Sequence, residues 1–132
     1  MKKYYISRHS CFLLQYHLVL VTKYRNPVIT GDLEKRLYEY TRQYFSDRDC
    51  VLQKLSGESD HIHILFEAPA MINMADFVNA YKSASSRKMR QEFTEFLKPY
   101  YWKPYFWSRS YFICTVSDKS VEVVRSYIKN QK

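Results

Sequence analysis

Val51-Leu52-Gln53-Lys54-Leu55-Ser56-Gly57-Glu58-Ser59-Asp60-His61-Ile62-His63-Ile64-Leu65-Phe66-Glu67-Ala68 is the stretch on which the fold turns. Two apolar-rich runs flank the polar set Glu58, Ser59 and Asp60, so it reads as a β-hairpin with strands at 51–58 and 61–68. Strand side chains alternate faces, which points His61 and His63 the same way, about 6.6 Å apart along the backbone. Two imidazoles so placed can chelate one metal ion. They can equally be a hydrogen-bonded surface pair, since an H-x-H arises by chance in about one chain in ten of this composition.

Upstream of the hairpin, Asp32 can cap a helix over 32–47, with Leu33, Leu37, Tyr40 and Tyr44 forming a core-facing stripe. Residues 12–23 are apolar on both faces, as a central strand is. Downstream, Asn73 caps a helix to about residue 97, whose apolar side carries Met74, Val78, Tyr81, Met89, Phe93 and Phe96. Pro99 and Pro104 end it and open an aromatic tract over 100–107, which can stack bases or fill a core or a dimer seam. A last strand at 111–116 and a last helix at 120–131, with Val124 and Ile128 on one side, complete the chain. The order β-α-β-β-α-β plus a terminal helix predicts an α+β, ferredoxin-like (RRM-like) sandwich with an antiparallel sheet. The open face of such a sheet is a common nucleic-acid platform.

With 132 residues, 46% of them hydrophobic, and no repeat or low-complexity linker, one domain over 1–132 is expected. Lys and Arg number 21 against 13 Asp and Glu, a net +8 that favours a polyanionic partner. No segment approaches the roughly 20 apolar residues of a membrane span, so nucleic acid is the better choice. Cys11, Cys50 and Cys114 are odd in number and widely spaced, which suggests neither a disulfide framework nor a zinc ribbon and places the protein in a reducing cytoplasm.

On the terminal helix Tyr127 and Gln131 are four apart and share a face. With His61-Ile62-His63 they make a pattern that resembles the single-tyrosine HUH transposases (TnpA type) of small prokaryotic insertion sequences, the insertion sequence 200/605 group. The likeness runs through five blocks of the chain: Tyr16-His17-Leu18-Val19-Leu20-Val21-Thr22-Lys23-Tyr24-Arg25, Asp60-His61-Ile62-His63-Ile64-Leu65, Lys82-Ser83-Ala84-Ser85-Ser86-Arg87, Trp107-Ser108-Arg109-Ser110-Tyr111-Phe112 and Val124-Arg125-Ser126-Tyr127-Ile128-Lys129-Asn130-Gln131. Ser117 stands where family members commonly carry glycine.

The resemblance implies an enzyme that cleaves and rejoins single-stranded DNA at the hairpin-bearing ends of its element. The Tyr127 oxygen would attack a phosphodiester, leaving a 5′-phosphotyrosine on the protein and a free 3′-OH. His61, His63 and Gln131 would hold a divalent metal, Mg or Mn. The protein would be a homodimer with active sites shared between subunits, His61 and His63 of one meeting Tyr127 and Gln131 of the other. The residue types suit this chemistry. An ordinary phenol is roughly 0.1% ionised at pH 7, a deficit of about 4 kcal/mol that a cation on the phosphate can offset. Each exchange swaps one phosphodiester for another, so no ATP site is required, and no G-x-x-x-x-G-K-[ST] occurs.

Lys23, Arg25, Lys82, Arg87, Lys88 and Arg90 are candidates to neutralise phosphates, although each also reads as solvated surface. His17, on an apolar strand, reads as a satisfied buried histidine. Two alternatives stand beside the transposase. A non-catalytic RRM-like binder of single-stranded nucleic acid accounts for charge and aromatics but not for the His, Tyr and Gln set. A housekeeping relative acting on repeated palindromes would share all of these residues.

Overall fold

The central strand is β1, Leu13–Thr22, with β3 (His61–Pro69) on one side and β4 (Trp107–Thr115) on the other. The computed structural model describes residues 13–116 and 120–130; Ser117 and Gln131 lie outside the described residues. The remaining elements are α1 (Gly31–Asp47), β2 (Val51–Glu58), α2 (Met74–Glu92), the single turn α3 (Thr94–Leu97) and α4 (Ser120–Asn130). Strand order is β2-β3-β1-β4 with every neighbour antiparallel. This is the α+β sandwich expected from the order of elements.

The double apolar character of β1 has two causes. Leu18 and Leu20 face a core with Ile62, Ile64 and Phe66 of β3, closed by Leu33, Leu37 and Phe45 of α1 and by Val78, Tyr81 and Met89 of α2. Val19 and Val21 face the other way, against Val124 of α4. Each such buried aliphatic or aromatic side chain stabilises the fold by about 1.5–3 kcal/mol relative to exposure. Polar groups within the first core are paired. The Tyr81 hydroxyl lies 2.5 Å from Thr41 Oγ1. Trp107 Nε1 donates to Ser85 Oγ at 2.9 Å, and that hydroxyl donates to the Tyr81 carbonyl at 2.7 Å, which ties α2 to β4.

Asn73 caps α2 as expected, its side chain accepting from the Asp76 amide at 3.1 Å. Three boundaries differ from the sequence reading. The N-cap of α1 is Thr30, and Asp32 instead sits in the first turn, where a carboxylate favours the helix dipole. Helix α2 stops at Glu92 because Phe93 leaves helical geometry (φ −125°, ψ 41°), which rotates the next turn so that Leu97 is buried and Phe96 is 40% exposed. Strand β4 begins at Trp107, paired with Thr22, and a register shift between Leu20 and Thr22 interrupts the alternation that would have revealed it.

Hairpin β2–β3 pairs Glu58 with His61 across Ser59 and Asp60. Gly57 is required there: a Cβ would stand 2.2 Å from the His61 carbonyl oxygen and 2.8 Å from Ile62 Cα.

Candidate active site

Strand alternation puts His61 and His63 of β3, His17, Val19 and Val21 of β1, and Phe112 and Cys114 of β4 on the sheet face covered by α4. Val19 pairs with His63, so His17 is the diagonal neighbour of His63. His17 Nδ1 lies 2.7 Å from His63 Nε2, and the rings are 4.9 Å apart. Burial, followed by the neighbouring charges of His17, Lys54 and His61, pushes His63 down to about 4. Burial also lowers His17. Both imidazoles are therefore neutral near pH 7, the state in which a ring nitrogen can bind a cation.

His61 is held differently. Its Nδ1 lies 2.9 Å from Asp60 Oδ1, while Arg25 Nε donates to Asp60 Oδ2 at 2.8 Å. Burial pushes the Asp60 carboxyl up, but hydrogen bonds from His61 and Arg25 outweigh it and hold the group below its usual range. Arg25 also donates from Nη1 to the Ile128 carbonyl of α4 at 3.1 Å. One guanidinium thus joins the tyrosine-bearing helix to the carboxylate that orients His61. Arg25 reaches both partners from a left-handed backbone, φ 53°, directly after Tyr24 at φ 61°. Two adjacent non-glycine residues in that region cost about 1 kcal/mol or more each. The turn is held by Lys23 N–H on the Phe106 carbonyl (2.8 Å), the Tyr101 hydroxyl on the Lys23 carbonyl (2.9 Å) and Thr22 N–H on the Asp60 carbonyl (2.9 Å).

Tyr127 lies on α4 with its ring 5.1 Å from that of Phe112. Its hydroxyl oxygen is buried and has no hydrogen-bond partner among the described residues. A buried orphan hydroxyl costs roughly 1–3 kcal/mol, so its presence calls for a reason beyond packing.

His61, His63 and Tyr127 are thus brought to one face; Gln131 is outside the described residues. Ligand atoms of Glu58, Asp60 and His61 lie within 4.8 Å of one another, a group able to hold a metal ion. The sequence reading took Glu58 and Asp60 as turn residues and named neither as a metal ligand. Nor did it place His17 against His63 or Arg25 against Asp60. The register that makes His17 a neighbour of His63 is absent from local pattern. The six basic candidates scatter. Lys82 donates to the Arg109 carbonyl at 2.8 Å, Lys88 sits 3.8 Å from Glu92, and Arg90 Nε donates to Ser86 at 3.1 Å. Lys23 lies over the rings of Tyr24 and Tyr105, and Arg87 is exposed.

The four-stranded sandwich thus carries paired histidines on the sheet face that α4, the helix bearing Tyr127, covers, the architecture of a tyrosine transposase. The chain belongs to the IS200-like transposase family, which matches residues 10–131. It is 32% identical over 125 residues to the ISDra2 transposase TnpA of Deinococcus radiodurans, covering 95% of this chain and 89% of that protein. The transposase of insertion sequence element IS200 from Salmonella typhimurium is 28% identical over 123 residues, 93% of this chain and 80% of its own length. A crystal structure of a transposase candidate from Deinococcus radiodurans R1 superposes with a TM-score of 0.85 at 33% identity, over 99% of this chain and 98% of that one. The fold is also shared with a REP-associated tyrosine transposase bound to a REP hairpin, TM-score 0.52 at 12% identity, over 90% of this chain and 66% of that one. The protein is a DNA-processing enzyme of the tyrosine transposase type. No helix among the described residues is long and apolar enough to cross a membrane.

Proposed function

We propose that the protein cuts and rejoins single-stranded DNA at hairpin-bearing element ends, with Tyr127 as nucleophile. The observation that carries this reading is the buried Tyr127 hydroxyl on the histidine face, without a hydrogen-bond partner among the described residues. A non-catalytic nucleic-acid binder gives no account of that orphan group. In the reaction the tyrosine oxygen forms a bond to phosphorus and the bond from phosphorus to the 3′ oxygen breaks. The phenolic proton finishes on the released 3′-OH, and the second transesterification runs the same exchange in reverse with a new 3′-OH. The form of DNA to try first is a hairpin, the ligand of the REP-associated neighbour.

The donor set fits a divalent cation. His61 is oriented by Asp60 through one ring nitrogen, the carboxylate–histidine arrangement of metal sites, and His63 is neutral. His61, His63 and Gln131 would hold Mg or Mn, with the Glu58 and Asp60 carboxylates at hand. When bound, the cation supplies charge stabilisation at the phosphate. Arg25 keeps the last turn of α4 next to the Asp60–His61 pair, so the nucleophile and the histidines stay in register. The working unit is a homodimer with active sites shared between subunits.

Substituting Tyr127→Phe tests this directly. Cleavage of a hairpin oligonucleotide in Mg or Mn, and the covalent protein–DNA adduct, should both vanish while hairpin binding stays. Removing an unsatisfied buried hydroxyl should leave the melting temperature unchanged or raise it. An adduct that persists, or that maps to Tyr40 or Tyr44, would exclude Tyr127 as the nucleophile.

A further inference from the structure

The aromatic tract splits in two. Tyr101, Phe106 and Trp107 are core, whereas Trp102 is 80% exposed and Tyr105 is half-buried. Between α2–α3 and this tract lies a cleft of about 240 Å³ whose walls include Arg90, Thr94, Lys98, Tyr101, Lys103 and Tyr105. No carboxylate lines it among the described residues. Among the described residues the Lys98 and Lys103 ammonium groups make no ion pair there, and Arg90 has only its Nε engaged, on Ser86. Lys103 Nζ lies 4.7 Å from the centre of the Trp102 ring.

We infer that this cleft holds a nucleotide of the single-stranded flank beside the strand being cut, an inference that rests on the single-stranded DNA reaction proposed above. Three cations without a carboxylate partner among the described residues suit phosphodiesters, and the Tyr105 face within the cleft, with the exposed Trp102 ring next to it under Lys103, suits bases, the combination that binds single strands without sequence preference. The volume falls below the roughly 300–1,000 Å³ of small-molecule pockets, so one planar group fits better than a whole cofactor. A second copy of the chain is a poor occupant, because it would bring its own +8 to an unpaired cationic wall.

The cleft is also placed for the task. Tyr105 packs edge-on against Tyr24 at 6.0 Å, with Lys23 Nζ 4.8 Å above its ring. Tyr24 is 59% exposed, and the next residue, Arg25, reaches Asp60 and through it His61. The left-handed pair at Tyr24 and Arg25 therefore sends one side chain toward the cleft and the next toward the histidines. Tyr24 and Arg25, adjacent in the chain, thus connect Tyr105 of the cleft to the Asp60–His61 pair.

The test uses a hairpin oligonucleotide with a single-stranded oligothymidine flank, against the same hairpin with a blunt end. With 5-iododeoxyuridine in the flank, irradiation should crosslink the peptide containing Trp102 and Tyr105. Trp102→Ala should weaken the flanked hairpin about tenfold, the worth of one stacked base, and leave the blunt hairpin unchanged. The pair Lys98→Ala and Lys103→Ala should reduce the slope of log affinity against log salt by about 1.4. All three side chains are exposed, so these variants should melt as the wild type does. Crosslinks confined to another peptide, or equal losses for blunt and flanked DNA, would overturn the assignment. A Trp102→Ala effect on self-association alone would reassign the patch to a protein contact. Variants that cut and bind flanked DNA like wild type would remove the cleft but keep the reaction; a wild type that neither binds nor cuts the flanked hairpin would remove both.

Discussion

His63 packs against a second imidazole 2.7 Å away, on a sheet face that α4 covers. A proton on either ring would put positive charge where water is scarce, so the pair stays neutral and shares one N–H between the facing nitrogens. That has a thermodynamic consequence. The unfolded chain takes up a proton at His63 near 6.5, the fold only near 4. Above 6.5 neither state is protonated and the full stability is present; as pH falls from 6.5 to 4 the unfolded state alone binds the proton and stability declines. His17 adds in the same direction. Thermal melts in EDTA at stepped pH should show this decline, and His63→Gln should flatten most of it. Asp60 acts in a separate window, because its depressed pKa makes its contribution disappear only below about 3.8. A wild-type melting temperature that is level from pH 6.5 to 4 would mean that the pair is already hydrated.

The hairpin β2–β3 couples stability to the site through one missing side chain. At Gly57 a Cβ strikes the backbone of His61 and Ile62, and backbone cannot rotate aside as a side chain can. Gly57→Ala should therefore cost about 2 kcal/mol or more and shift His61 relative to His63, lowering both the melting temperature and metal-dependent cleavage. Gly31→Ala is the control: φ is +55° but nothing lies within 4 Å, so about 1 kcal/mol of strain and normal cleavage are expected. Equal activity loss in the two variants would show that Gly57 matters only for stability. This hairpin was the most legible part of the sequence, because alternation and a polar turn are local signals. Strand β1 was legible because a strand covered on both faces carries no polar face to alternate with. What escaped depends on geometry between elements. Arg25 meets Asp60 only because two consecutive residues take left-handed φ, and nothing in a Tyr-Arg pair announces that. The break at Phe93 escaped because the apolar stripe runs through it without glycine or proline.

At the scale of the whole molecule, the place of α4 decides how the active site is assembled. In the structure it lies on its own sheet, held by Val124 against Val19 and Val21, by Tyr127 against Phe112 and by the Ile128 carbonyl on Arg25. A second copy offers the same valines, the same phenylalanine and the same arginine, so an exchanged helix loses none of them. The proposed dimer with shared sites is such an exchange, and subunit mixing tests it. Combine a Tyr127→Phe protein with a His61→Ala protein in equal amounts, each inactive alone, and let subunits exchange. About half the dimers are then mixed. With crossed helices each mixed dimer has one intact site and one doubly substituted site, so about a quarter of wild-type cleavage should return. With uncrossed helices every site keeps one lesion and nothing returns. No recovery, with exchange confirmed by native mass spectrometry, would mean that α4 serves the sheet of its own chain, in the arrangement the structure describes.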